Sequence, residues 1–149
     1  MNFWDSASVL PLLVPEPASE AMLALFARDP QMIVRWGTRV ECTSALARRV
    51  RDGAVPDSID RAWLELARFA AAWEEVLPVE SIRLRAESLL RRHLLRAADA
   101  FQLAAAMYAA EDRTPSLDFV TLDLRLAVAA RAEGFRVWPA AEAVGRPSP

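Results

Sequence analysis

From Ala100 to Ala110 only Gln102 and Tyr108 carry a polar side-chain group, and a helix apolar on every side belongs in the middle of a domain. The rest of the chain alternates short apolar runs with stretches of helical spacing. Asn2-Phe3-Trp4 is an apolar opening cut off at Asp5-Ser6-Ala7-Ser8, the pattern of a strand entering a polar turn. Residues 9–14 predict a helix broken at Pro15 and Pro17. Ser19-Glu20 opens another, with Met22, Leu23, Leu25 and Phe26 as its buried face, stopped at Arg28-Asp29-Pro30. Met32-Ile33-Val34-Arg35-Trp36 is a second strand and Gly37-Thr38 its turn. A helix over 39–51 follows, with Val40, Ala45, Leu46, Ala47 and Val50 inward, closed by Gly53. Residues 57–73 form a longer amphipathic helix on Ile59, Trp63, Leu66, Phe69 and Ala70, whose exposed-looking aromatics Trp63 and Phe69 suggest a symmetric dimer interface. Val76-Leu77-Pro78-Val79 is short and Pro-broken, hence an edge strand at most. Helix returns over 81–92 and again, fully apolar, from 96 to 107. A strand over 118–121, a helix over 124–133 closed by Gly134 and a strand over 135–138 complete the pattern. Residues 139–149 are Ala/Pro-rich and expected to fray, leaving one domain over 1–138.

Strands alternating with helices imply an α/β fold in three layers, α/β/α, around a central, mostly parallel sheet of four to five strands. In such folds the functional crevice lies at the carboxyl ends of the strands. Asp5 ends the first strand, Glu41 sits in the first turn of the helix after the second, and Asp123 lies two residues past Thr121. Asp99 opens the apolar helix. Each acid has an ordinary use of its own: Asp5 in an Asx-type turn, Glu41 and Asp99 against helix dipoles, Asp123 beside a helix that Thr121 caps. Together they bring four like charges to one edge of a small sheet, a repulsion that a divalent cation relieves. An oxygen-only ligand set favours Mg²⁺ or Mn²⁺ over zinc.

Composition narrows the chemistry. Apolar residues make up 54 % and charged residues 26 %, so the chain has a real core. The net charge of −2 provides no bulk basic field for nucleic acid, and a polyanion site has to be local. All 18 basic residues are arginine. The missing lysine excludes a phosphoacceptor receiver domain, a haloacid-dehalogenase-type phosphatase and a P-loop, and no Gly-x-Gly-x-x-Gly occurs. Ser44 has no second histidine or lysine to activate it, which argues against a serine hydrolase. His93 is expected to be structural. Arg48, Arg49 and Arg51 form a basic helix end, a solvated face before an RNA contact. The five tryptophans are expected in the core rather than as base-stacking platforms. One cysteine, Cys42, makes no internal disulfide, and no stretch approaches the ~18 apolar residues of a membrane span, so a cytoplasmic protein is expected.

The segments Phe3-Trp4-Asp5-Ser6, Val40-Glu41-Cys42-Thr43-Ser44-Ala45-Leu46, Leu95-Arg96-Ala97-Ala98-Asp99-Ala100 and Phe119-Val120-Thr121-Leu122-Asp123 occur in that order over nearly the whole chain. In these segments the sequence resembles the PIN-domain ribonucleases, and most of all the VapC-type toxins of toxin–antitoxin pairs. The resemblance implies a PIN-like, metal-dependent endoribonuclease acting on structured or single-stranded RNA such as tRNA. It also implies a homodimer and a cognate antitoxin that blocks the site. Asp5, Asp99 and Asp123 are then expected to hold Mg²⁺ or Mn²⁺, with Glu41 as a further ligand or water-positioner. Ser6 and Thr121 are the candidates to bond those carboxylates. The family keeps Ser or Thr two residues after its first aspartate, whereas this chain has Ala7 there. That departure is the one support for a rival of another class, a degenerate, non-catalytic PIN-like module that binds a protein partner.

Overall fold

The computed structural model describes residues 1–139. Five short strands form one sheet: β1 (Asn2–Trp4), β2 (Met32–Arg35), β3 (Glu74–Val76), β4 (Asp118–Val120) and β5 (Val137–Trp138). Their order across the sheet is β3-β2-β1-β4-β5, and every neighbouring pair is parallel. The helices are α1 (Ser6–Leu13), α2 (Ser19–Arg28), α3 (Thr38–Arg51), α4 (Pro56–Ala72), α5 (Glu80–Arg92), α6 (Ala97–Ala109) and α7 (Leu124–Ala132).

The period of two along each strand sends alternate side chains into two cores. Phe3, Ile33, Phe119 and Val137 pack with α5, α6 and α7 on one face, where the Phe3 and Phe119 rings stack at 5.4 Å. Trp4, Met32, Val34 and Val120 pack with α1 to α4 on the other. These are the expected three layers. Helix α6 is buried from Leu103 to Ala106 because it packs against α5, α7 and the sheet, and its alanines allow that close approach. The strand order reverses at β1, so the carboxyl ends of β1 and β4 flank the crevice of the fold.

Several boundaries and faces differ from the sequence expectation. The polar run after β1 is helix, not turn: α1 starts at Ser6, and the Asp5 carbonyl accepts the Ser8 and Val9 N–H groups at 2.9 and 3.3 Å. Only Met22 of the expected α2 face is fully buried; Leu23 is exposed, because α2 lies at the rim of its layer and buries a single stripe. In α3 the inward row is Thr38, Cys42 and Leu46, at i, i+4 and i+8, which turns Val40 and Val50 to solvent. Strand β3 comes before Leu77-Pro78, where it pairs with β2 without needing an N–H from proline. Strand β2 stops at Arg35, so Trp36 is 55 % exposed rather than core. Trp63 and Phe69 pack against the α1–α4 core, Phe69 edge-on to Phe26 at 5.2 Å, and do not form an exposed aromatic patch. No helix among the described residues is long and apolar enough to cross a membrane. Beyond Pro139, the expectation of a frayed tail over 139–149 falls outside the described residues.

Candidate metal centre

Asp5 lies at the turn from β1 into α1 and is 4 % exposed. Its carboxylate makes no capping hydrogen bond to the helix it precedes. It reaches across the sheet instead: Thr121 Oγ1 donates to Asp5 Oδ2 at 2.9 Å, and Ser6 Oγ approaches Oδ1 at 3.4 Å. Burial pushes the Asp5 carboxyl up to about 6. The Thr121 hydroxyl resists that shift, the charge of Glu41 adds to it, the Ala7 N–H resists it, and the charge of Asp99 adds again. Ser6 thus stands in for the hydroxyl that Ala7 lacks, weakly, while Ser8 Oγ is buried without a partner.

Glu41 comes from the first turn of α3 and is held from two elements. Arg35, the last residue of β2, forms an ion pair with Oε1, and Gln102 Nε2 donates to Oε2 at 2.9 Å. Gly37 leaves room for this arginine, since a Cβ there would stand 2.8 Å from Arg35 Nη1. Gln102 is 1 % exposed and sits one helical turn past Asp99, on the same face of α6. Its Oε1 is buried and accepts nothing. Burial, with the charges of Glu41 and Asp5 added, pushes the neighbouring Cys42 thiol up to about 12, so it is neither a nucleophile nor a thiolate ligand.

Asp99 and Asp123 do use the helix-terminus roles open to them. The Arg96 N–H donates to Asp99 Oδ2 at 3.3 Å, and Asp123 caps α7 by accepting the Leu126 N–H on Oδ1 at 2.9 Å. Thr121 is not that cap; its hydroxyl accepts the Asp123 N–H at 3.1 Å while donating to Asp5. The Arg96 side chain lies between the two acids, 3.6 Å from Asp99 Oδ2 and 3.8 Å from Asp123 Oδ2. The four predicted acids therefore share one neighbourhood. Asp5 feels Glu41 and Asp99, Arg96 joins Asp99 to Asp123, and Thr121 joins Asp123 back to Asp5.

Among the described residues, no three acidic, histidine or cysteine side chains are gathered as a ready-made cage. Arg35 and Arg96 hold the acids as counter-ions instead. The donor set still fits a hard divalent cation: every candidate ligand is a carboxylate oxygen, and the orphaned Gln102 Oε1 is an acceptor suited to a water of a hydrated ion. Arg96 is largely exposed, so its side chain is not locked in place by packing.

The other candidates stand apart. His93 Nε2 is 2.6 Å from Glu133 Oε1, a structural pair that Arg92 joins at 2.8 Å. Arg49 pairs with Glu16, while Arg48 and Arg51 lie on a solvated face. Sequence reasoning does not find Arg35, Arg96 or Gln102. Gln102 leaves a trace there, as one of two polar groups in the apolar helix, three residues after an acid.

No family model matches the chain. Ribonuclease VapC45 and ribonuclease VapC49, from two strains of Mycobacterium tuberculosis, are each 31 % identical to it over 145 residues, covering 93 % of this chain and 94 % of theirs. Among solved structures, FitAcB from Neisseria gonorrhoeae superposes with a TM-score of 0.63 at 17 % identity, over 92 % of this chain and 96 % of that one. PAE2754 from Pyrobaculum aerophilum gives 0.62 at 18 % identity, over 91 % and 82 %. A toxin–antitoxin complex from Klebsiella pneumoniae gives 0.57 at 20 % identity, over 83 % and 87 %. On sequence and architecture together, the chain belongs to the VapC-type ribonuclease family of PIN-domain proteins.

Proposed function

We propose that this protein is the toxin of a type II toxin–antitoxin pair and hydrolyses RNA phosphodiester bonds with Mg²⁺ or Mn²⁺ bound among Asp5, Glu41, Asp99 and Asp123. The observation that carries the reading is buried Asp5 at the carboxyl edge of the sheet, within the field of Glu41 and Asp99 and joined through Thr121 to Asp123, so that acids from four separate segments share one neighbourhood. The two mycobacterial relatives are ribonucleases by name, which supports RNA as the substrate. The Klebsiella structure is a toxin–antitoxin complex, which supports an antitoxin partner.

Asp5, Asp99 and Asp123 would hold the ion, with Glu41 as a further ligand or a base for water. When bound, such an ion neutralises charge on a phosphate and makes water nucleophilic near neutral pH. The protein's own work is positional. Thr121 fixes the Asp5 carboxylate, Gln102 and Arg35 fix Glu41, and the N-cap bond fixes Asp123. A homodimer is part of the proposal, supported by an exposed apolar surface of Leu94, Leu124 and Val128.

The test is cleavage of single-stranded RNA and of tRNA by the purified protein in EDTA, Mg²⁺ and Mn²⁺, beside Asp99→Asn. Cleavage that needs the ion and disappears in a folded Asp99→Asn supports the reading. Cleavage by the variant at the wild-type rate, or a wild type inert with every ion, refutes it. Inert wild type that still forms a tight protein complex is the result expected of the non-catalytic rival.

A further inference from the structure

Beside the acids, on the β3 side, the chain forms an open cavity of about 390 Å³ whose walls include Arg35, Trp36, Leu77, Glu80, Arg83 and Phe101. Its size falls within the ~300–1,000 Å³ of small-ligand pockets. Two of its walls also belong to the acid site: Arg35 holds Glu41, and Phe101 lies between Asp99 and Gln102 in α6. Arg35 also lies over the Phe101 ring, 5.9 Å from its centroid, so the guanidinium spans both spaces. Trp36 is largely exposed, yet its backbone is pinned, its N–H donating to the Val76 carbonyl at 3.0 Å. A large exposed indole on a pinned stretch of backbone beside a solvent-open cavity is a platform for a flat aromatic ligand. Arg83, largely exposed, stands at the wall paired with Glu80, itself a wall residue.

We propose that this cavity is a nucleobase subsite, taking the unstacked base of a single-stranded RNA next to the scissile phosphate and stacking it on Trp36. The proposal rests on the ribonuclease reading and deepens it. An RNA strand needs both a π-face and nearby positive charge, and base stacking on aromatic side chains is how unpaired nucleotides are gripped with little sequence preference. Trp36 provides the π-face, and Arg35, which also holds Glu41, places positive charge beside the acids that would act on the adjoining phosphate. An apolar protein segment would use the indole and Leu77 without engaging Arg35, the residue that joins the cavity to Glu41 of the acid site, which favours RNA as the occupant.

The experiment measures binding of fluorescein-labelled single-stranded RNA decamers in Mg²⁺ by anisotropy, in an Asp99→Asn background that blocks turnover. Trp36→Ala is expected to weaken binding about five- to a hundredfold, the range for loss of one stacked base, while Trp36→Phe retains most of the affinity. Leu77→Glu changes an exposed residue, so the fold is not at risk, and it should weaken binding through negative charge at the mouth. Each variant is also checked for its melting temperature and for its mass by light scattering. Unchanged RNA affinity in both Trp36→Ala and Leu77→Glu overturns the subsite while leaving the ribonuclease reading intact, provided that the wild type cuts RNA. A change in mass with RNA affinity untouched makes the cavity a protein interface and also overturns it. If the wild type neither binds nor cuts RNA, both readings fall.

Discussion

Asp5→Asn should make the ion-free protein more stable at neutral pH, although it removes the most buried of the four acids. Asp5 sits at about 6 against an ordinary 3.8, so the folded chain holds its proton more tightly than the unfolded chain does. For such a group folding is favoured while it is protonated. The advantage is complete below 3.8, falls as pH climbs from there through about 6, and is gone above that. At about 1.4 kcal/mol per pH decade, ionised Asp5 costs on the order of 3 kcal/mol of stability at pH 7.5. Asparagine carries no charge, its Oδ1 still accepts from Thr121, and its amide faces the negative field of Glu41. Allowing about 1 kcal/mol for imperfect hydrogen bonding leaves a gain of ~2 kcal/mol, or a rise in melting temperature of roughly 4–8 °C for a domain of this size. The assay is a set of melting curves for both proteins in EDTA at pH 4.0 and 7.5, then at pH 7.5 with saturating Mg²⁺. At pH 4.0 the gap should nearly close. With Mg²⁺ it should reverse, because an ion at a hundredfold excess over its dissociation constant adds about 2.7 kcal/mol only to a protein that binds it. If the variant melts lower by the same margin at both pH values and Mg²⁺ shifts both proteins equally, Asp5 is neither a strained acid nor a ligand.

Three other substitutions or measurements probe the same neighbourhood. Arg96→Gln should bind Mg²⁺ about two- to fivefold more tightly in titration calorimetry, because it removes a largely exposed cation that an ion has to displace; weaker binding would refute the counter-ion role. Gln102→Leu loses one bond to Glu41 and one orphaned carbonyl together, so chemical denaturation should show a change within ~1 kcal/mol. Its Mg²⁺ affinity should fall about tenfold or more, as when a ligand loses its support; an unchanged affinity would mean that Glu41 is not a ligand. Light scattering at tens of micromolar should give twice the 16.5 kDa chain mass, and Val128→Glu should return it to the monomer; a wild type already monomeric refutes the dimer.

The sheet and the four acids are legible in the sequence for different reasons. A parallel strand buried on both faces is a near-continuous apolar run, so Phe3-Trp4 and Ile33-Val34 stand out whatever surrounds them. Acids at the ends of such runs gain meaning only from topology, and alternation of strand and helix supplies enough of it to place Asp5, Glu41, Asp99 and Asp123 on one edge. Trp36 misleads because a strand end and a strand interior look alike in one dimension. The β2 ladder stops at Arg35 and turns the next side chain outward. Trp63 and Phe69 mislead the other way: α2 folds back over α4, and Phe26 covers Phe69 at a distance in sequence that periodicity does not reach. The arginines that serve the acids are invisible for the same reason, since Arg35 meets a glutamate six positions on, and Arg96 bridges to an aspartate twenty-seven positions away.

The way charge is shared among the four acids also explains why Asp5, of all of them, is the strained one. Glu41 has Arg35; Asp99 and Asp123 share Arg96. A planar guanidinium presents several donors at fixed angles, so a single Arg96 can serve two carboxylates, and Arg35 can cover the Phe101 face while its tip meets Glu41. A lysine offers one compact charge at the end of its chain and could not do both. Asp5 lies deeper than any of these forks reaches and, among the described residues, makes no ion pair; it has only hydroxyls and a backbone N–H. Hydrogen bonds from neutral donors offset part of a buried charge, but two neighbouring carboxylates restore the deficit. What remains is one negative charge with no cation of the protein's own among the described residues, at the bottom of a crevice whose rim is held by a largely exposed arginine. A small divalent ion is the partner that can enter past such a rim and reach that depth. The position of Asp5, more than the number of acids around it, is what the proposed metal site rests on.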